Sequence, residues 1–230
     1  DNNQIHYLAP HEDHTDRPFG RNIYFQATDF TCGPACVMMA MAALDENYQP
    51  NHLDELMIWR QANLVMQGKP PAGCGPFGLA LAAMERGFNV EVYEHKAENI
   101  ILELAHNDED KAILDVVTRY DRTKAIENGC PIHEEKISSE LLKILIQQNK
   151  QLIALTFGEE DGHWVMIHDI NDQHIFIIDP YKATPQEAAD SKYYTDTGRN
   201  FIHYFDAKEW LHYGPNRSSV LLALDLPIKG

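Results

Sequence analysis

Ten consecutive apolar or small residues, Ala35 to Leu44, form the first strong block in the chain. A stretch that is apolar all round belongs to a buried helix rather than to an amphipathic surface one. Pro34 suits the first turn of such a helix, where a missing N–H had no intrahelical partner anyway. The pattern therefore predicts a central helix from Pro34 to about Asp45. A second helix fits Leu53 to Gln67, closed by Gly68, Pro70 and Pro71. A third runs from Pro76 to about Arg86 and stops at Gly87, the position where a left-handed glycine ends helices. The period then drops to two across Asn89–His95, as in a half-buried strand. Residues 97–128 are charged and helical, one or two surface helices inserted in the domain. "SSELLKILIQQNK" (138–150) is an amphipathic helix with a serine cap. Three apolar runs of strand length follow at 151–157, 163–170 and 174–179. A short helix at 206–213 and a last strand at 219–226 complete the pattern. A short strand at Ile23–Gln26, a polar irregular arm over 1–22 and a polar loop over 181–199 fill the gaps. Helices first and antiparallel strands afterwards give an α+β fold. The whole chain reads as one domain.

Composition alters this picture little: 230 residues, 44% hydrophobic and 23% charged, are ordinary for a globular domain. Charge alters it more. A net −16 argues against nucleic acid, whose phosphates need a basic patch, and disfavours anionic membranes. The same field would draw basic or peptide substrates. No run approaches the roughly 18 apolar residues of a membrane span. Cys32, Cys36, Cys74 and Cys130 are too few and too scattered for a disulfide scaffold. They point to a reducing, cytoplasmic setting. The chain starts at Asp1 rather than Met, so a lost leader and secretion stay open. The cysteines lack paired zinc spacing, and His11 and His14 have no helical pattern around them. No metal and no cofactor are expected.

Cys32 opens a Cys-Gly-Pro step at the entrance of the first helix. It could be a core thiol, half of a metal pair with Cys36, or a nucleophile. A helix N-terminus stabilises a thiolate, and an adjacent imidazolium does so more strongly. Glycine at position 33 would keep the approach to the sulfur open. A nucleophile needs a base, and His163 differs from the other histidines: it follows the acidic loop "GEEDG" (158–162) and starts an apolar strand. Asp179 ends the next apolar run, where a lone buried carboxylate would be costly. If Ile170 faces His174 across the turn, Val165 faces Asp179 and His163 is its diagonal neighbour on one face. A two-residue turn would separate them, so the pairing requires an odd loop or a compensating bulge. His168 falls on the opposite face and reads as structural. Cys-Gly-Pro recurs at 74–76, but six residues before Cys74 stands Gly68, without a side-chain donor. Cys36 reads as core packing and Cys74 as packing near the site.

Gln26 six residues before Cys32-Gly33-Pro34-Ala35, then His163-Trp164-Val165 and Asp179-Pro180 sixteen residues after His163, resemble the C39-like cysteine peptidases of the papain-like group. Bacteriocin-processing peptidase domains of ABC transporters share this pattern. The resemblance covers about residues 22–45 and 138–181. It implies a papain-like fold with N-terminal helices on a C-terminal antiparallel sheet. It implies Cys32 as nucleophile, His163 as general base and acid, Asp179 as the group orienting the imidazole, and Gln26 as an oxyanion donor. Gly33, Gly162 and Trp164 are the expected substrate-facing positions. The implied activity is hydrolysis of a peptide or amide bond through a thioester. Acyl transfer, side-chain deamidation, or a silent peptide-binding module would use the same cleft. This chain carries no transporter or ATPase part, so leader cleavage is not implied.

Overall fold

The computed structural model describes residues 23–64, 72–96, 102, 105, 107–157, 162–190, 198–203, 211–212 and 217–227. The apolar block lies inside the first helix, α1 (Cys32–Leu44), which begins two residues before Pro34 and so makes Cys32 its first residue. Every residue from Cys32 to Met41 is buried. Each fully buried Val or Met of this kind contributes about 1.5–3 kcal/mol. The second helix, α2 (His52–Ala62), is capped by Asn51, whose side chain accepts from Asp54 N at 3.0 Å. It ends well before Gln67, and the chain extends again at Asn63. The third, α3 (Pro76–Glu85), stops before Gly87, which has φ +89°.

The first strand, β1 (Asn89–His95), agrees with its period-two pattern. The charged stretch holds a 20-residue helix, α4 (Asp108–Glu127). It is a surface helix on one side only: Leu114 and Ala125 are buried in the common core, and Arg122 lies over the Phe77 ring of α3 at 5.7 Å. After the short β2 (Ile132–Glu134) comes α5 (Ser139–Gln147), capped by Ser138, which accepts from Leu141 N at 3.1 Å. The remaining elements are β3 (Gln151–Phe157), β4 (Gly162–Ile170), β5 (His174–Ile178), α6 (Pro185–Asp190), β6 (Arg199–His203) and β7 (Ser219–Asp225).

The strands form one seven-stranded sheet in the order β2-β1-β7-β3-β4-β5-β6. The β1–β2 pair is parallel and the others antiparallel. The sheet is covered on both faces, because successive strand residues point to opposite sides. Ile153, Leu155, Trp164, Met166, Val220, Leu222 and Leu224 face the core with α1, α2 and α3. Leu152, Ala154, Val165, Ile167, Leu221 and Ala223 face α5 and the other core. The fold is α+β as expected, with α5 on the face of the sheet opposite α1, α2 and α3.

Two differences from the sequence pattern matter. Residues Ile23–Gln26 belong to no strand. The short elements β2, α6 and β6 carry too few residues for a periodic signal. The arm with His11 and His14, residues 65–71, 97–101, the acidic positions 158–161 and most of the expected 206–213 helix lie outside the described residues. No helix among the described residues is long and apolar enough to cross a membrane. No group of three His, Cys, Asp or Glu among them is placed to hold a metal ion.

Candidate active site

The site forms where the N-terminus of α1 meets the start of β4 and the end of β5. The side chain of the N-cap residue, Thr31, turns back to Thr28 and caps no first-turn N–H. The positive end of the helix is therefore left to the Cys32 sulfur. Burial alone would push the Cys32 thiol up. The hydrogen bond and charge of His163 outweigh that, helped by backbone N–H groups of Trp164 and Gly33, and hold it below its ordinary value.

His163 is the second residue of β4. Its backbone is fixed across the sheet by Thr156, whose hydroxyl donates to His163 O at 2.7 Å. Its Nε2 lies 2.7 Å from Asp179 Oδ1. That leaves Nδ1 as the ring atom for the thiol. Burial alone would lower the imidazole; the Asp179 charge and hydrogen bond, with Cys32, raise it instead to about 10. Asp179 is 2% exposed, and its Oδ1 also accepts from Tyr181 N at 2.8 Å.

The β4–β5 register shows how the sheet brings these groups together. Ile170 pairs with Ile175 beside the turn, but Ile167 pairs with Ile177 further along. His168 sits in the bulge between them, which shifts the register by one residue. Met166 then faces Ile178, so Val165 is level with Asp179 and His163 is diagonal to it. The turn is one residue longer than the odd loop, and the bulge compensates for it.

The other cysteines differ from Cys32. Burial pushes the Cys36 and Cys74 thiols well up, and the neighbouring Cys32 charge adds to it. The Cys36 thiol donates to Trp164 O at 3.4 Å. Cys130 is pushed up by burial to about 11 and donates to Val90 O at 3.2 Å. Cys32 is the one lowered thiol of the four.

Two expected substrate-facing residues point elsewhere. Trp164 is 2% exposed and its indole N–H donates to Cys74 O at 3.0 Å, so it is a strut under the site. A Cβ on Gly33 would meet Leu79 Cδ1 at 2.8 Å and Trp164 Cδ1 at 3.2 Å. Its missing side chain serves the close approach of α1 to α3 and β4. Gly162 remains beside His163, half-buried at the start of β4.

Gln26 approaches from the segment before α1. Its backbone N–H donates to Pro180 O at 2.9 Å, which ties it to the residue after Asp179. Its Nε2 donates to Thr28 O at 2.8 Å, and an amide nitrogen has a second hydrogen to give.

Sequence reasoning missed two supports. Gly198, with φ +65°, accepts at its carbonyl from Asp179 N at 2.7 Å; a Cβ on it would meet Asp179 O at 2.7 Å and Phe25 Cε1 at 2.9 Å. No periodic pattern marks it. Gly198→Ala is expected to destabilise the chain by about 1–3 kcal/mol and to shift Asp179, which under an enzymatic reading of the site would lower its rate about tenfold or more. Thermal unfolding and steady-state rates check this. The second is Glu55, which falls on the buried face of α2 with Ile58 and Ala62, at i, i+3 and i+7. An acid at that spacing was a readable signal.

No curated protein matches the chain. Among solved structures, the peptidase domain of Streptococcus ComA, a bifunctional ABC transporter involved in a quorum-sensing pathway, is similar at 12% identity. That match covers 89% of this chain and 97% of the other, with a TM-score of 0.43. A family model described as the Peptidase_C39 like family matches residues 22–219, which span Gln26, Cys32, His163 and Asp179 alike; the chain belongs to that family.

Proposed function

We propose that this chain is a papain-like thiol hydrolase that cleaves a peptide or amide bond through a thioester on Cys32. The observation that carries the reading is the single lowered thiol, in contact with an imidazole whose other nitrogen meets Asp179 at 2.7 Å. The resting pair is a Cys32 thiolate and a His163 imidazolium, with Asp179 fixing the ring. The thiolate attacks the substrate carbonyl carbon, a C–S bond forms, and the C=O pair moves onto oxygen. Gln26 Nε2 and the Cys32 N–H are the donors for that oxyanion, each worth about 3 kcal/mol in sites of this type. Collapse breaks the C–N bond while His163 hands its proton to the leaving amine. Water then attacks the thioester and gives its proton to His163. The C–S bond breaks, the acid leaves, and the ion pair is restored.

The substrate in this reading is a peptide with positive charge. Asp29 and Glu187 are exposed, both act on Tyr181, and Tyr181 N is bonded to Asp179. The net −16 of the chain adds a long-range field of the same sign.

The test mixes the chain with matched pools of Lys/Arg-rich and Asp/Glu-rich peptides, quenches in acid, and reads protein and peptides by mass spectrometry. An acyl adduct on Cys32 and shortened peptides are expected. The basic pool should be cut faster at low salt, with the gap closing as salt rises. A one-dalton gain without cleavage would replace hydrolysis by deamidation. No adduct and no product, or an adduct on Cys74, ends the proposal.

A further inference from the structure

Glu55 is 0% exposed in the first turn of α2, where a buried carboxyl is costly unless hydrogen-bonded. Both of its oxygens accept. Oε1 takes the Ala27 N–H at 2.8 Å; Oε2 takes the Tyr24 hydroxyl at 2.8 Å and lies 3.2 Å from His52 Nδ1. The Tyr24 and Ala27 donors lie on either side of Gln26. This segment has no sheet ladder to hold it, since Ile23–Gln26 pair with no strand. It is held on the sheet side by the bond from Gln26 N to Pro180 O, and on the helix side by Glu55. One turn further along α2, Trp59 packs on Phe30 with ring centroids 5.0 Å apart, just before Cys32. Ala27 itself is exposed, so water could satisfy its N–H. What Glu55 adds is a fixed place for that backbone.

We propose that Glu55 is a positioning residue: it sets where the Gln26 amide stands relative to Cys32 by fixing the backbone on both sides of Gln26. The inference rests on the reading of Cys32 as an acyl-forming nucleophile and Gln26 as an oxyanion donor. It predicts a split between two reactions of the same sulfur. Acylation by p-nitrophenyl acetate passes through a tetrahedral oxyanion and needs the donor in place. Alkylation by iodoacetamide displaces iodide at a saturated carbon and makes no oxyanion.

The experiment measures both rates, at Cys32, in the wild-type chain and in Glu55→Ala, Glu55→Asp and Glu55→Gln. Glu55→Ala is expected to acylate about tenfold or more slowly, with alkylation within about twofold of wild type. Glu55→Gln is the conservative rescue. Its amide oxygen can accept from Ala27 while its NH2 donates to the Tyr24 hydroxyl, so acylation stays within about threefold. If Glu55→Ala does not fold, Glu55→Asp takes its place: the shorter side chain cannot reach both donors, and the same split is expected. Acylation and alkylation falling together, or a ratio unchanged in Ala and Asp, would overturn the role of Glu55. A wild-type Cys32 that neither acylates nor alkylates quickly fails the nucleophile reading instead, and the role of Glu55 falls with it.

Discussion

Cys32→Ala is expected to cut the proposed peptide hydrolysis by orders of magnitude and to leave the chain folded. In the proposed mechanism the sulfur forms the acyl bond, and the three remaining thiols are not placed to replace it. Cys36 and Cys74 are buried with their thiols pushed well up, and Cys130 is tied to Val90 O on β1. The residual rate is expected to be on the order of 10⁴-fold or more below wild type. Folding is retained because alanine suits the first turn of a helix, and the rest of α1 is untouched. The stability cost stays at about 1–2 kcal/mol, the worth of one buried thiol and its hydrogen bonds. Product formation by mass spectrometry and a thermal melt decide it. A folded variant that still turns over peptide would place the chemistry elsewhere.

His163→Ala has a second signature, in pH. In the wild-type chain the thiol is held below its ordinary 9.0 and the imidazole is raised from 6.5 to about 10. Alkylation of Cys32 is therefore expected to be faster near neutral pH than that of an ordinary thiol. Without His163, burial of the thiol is unopposed. At pH 6 the alkylation rate should drop on the order of 10²-fold, allowing for the lower intrinsic nucleophilicity of a low-pKa thiolate. Stability follows with a definite sign. The raised imidazole contributes fully below pH 6.5, and this is lost as pH climbs through 10. The lowered thiol contributes fully above pH 9, and this is lost as pH falls through its folded value. The two contributions run in opposite directions with pH, so the pair offsets part of its own pH dependence where their ranges overlap. The difference in melting temperature between wild type and His163→Ala should therefore change with pH. A constant difference from pH 5 to 10 would refute the ion pair.

Much of this site was legible because its chemistry sits at element boundaries. An apolar block behind Cys32 forces a buried helix, and a thiol at its entrance is exposed to the helix N-terminus wherever the helix packs. The strand runs around His163 and Asp179 fixed their faces up to one unknown, the turn. That unknown was resolved by the bulge at His168, which depends on strand twist and neighbours and has no residue signature. Trp164 misled because aromatic residues beside a catalytic position suit a cleft as well as a core; its even spacing with Met166 on the α1 face decided for the core. Gly33 misled for a related reason. The need for a small residue was visible, but not the direction from which Leu79 and Trp164 press on it. The short strands β2 and β6 take their place from their neighbours, not from a pattern of their own. Gln26 was placed by resemblance; what holds it, Pro180 on one side and Glu55 on the other, comes from segments far apart in sequence.

The docking of α1 on β4 has a consequence for how the chain acquires reactivity. Cys36 and Trp164, which touch through a thiol–carbonyl bond, are 128 residues apart in the chain. Contacts of such separation form late, because loop closure must be paid for before they reward it. Until the helical layer settles on the sheet, Cys32 is an ordinary thiol, largely protonated at neutral pH. On the proposed reading, an emerging or partly folded chain thus carries no activated sulfur. Assembly of the last long-range contact is itself the activation step, so the onset of rapid Cys32 alkylation during refolding times the closing of the fold.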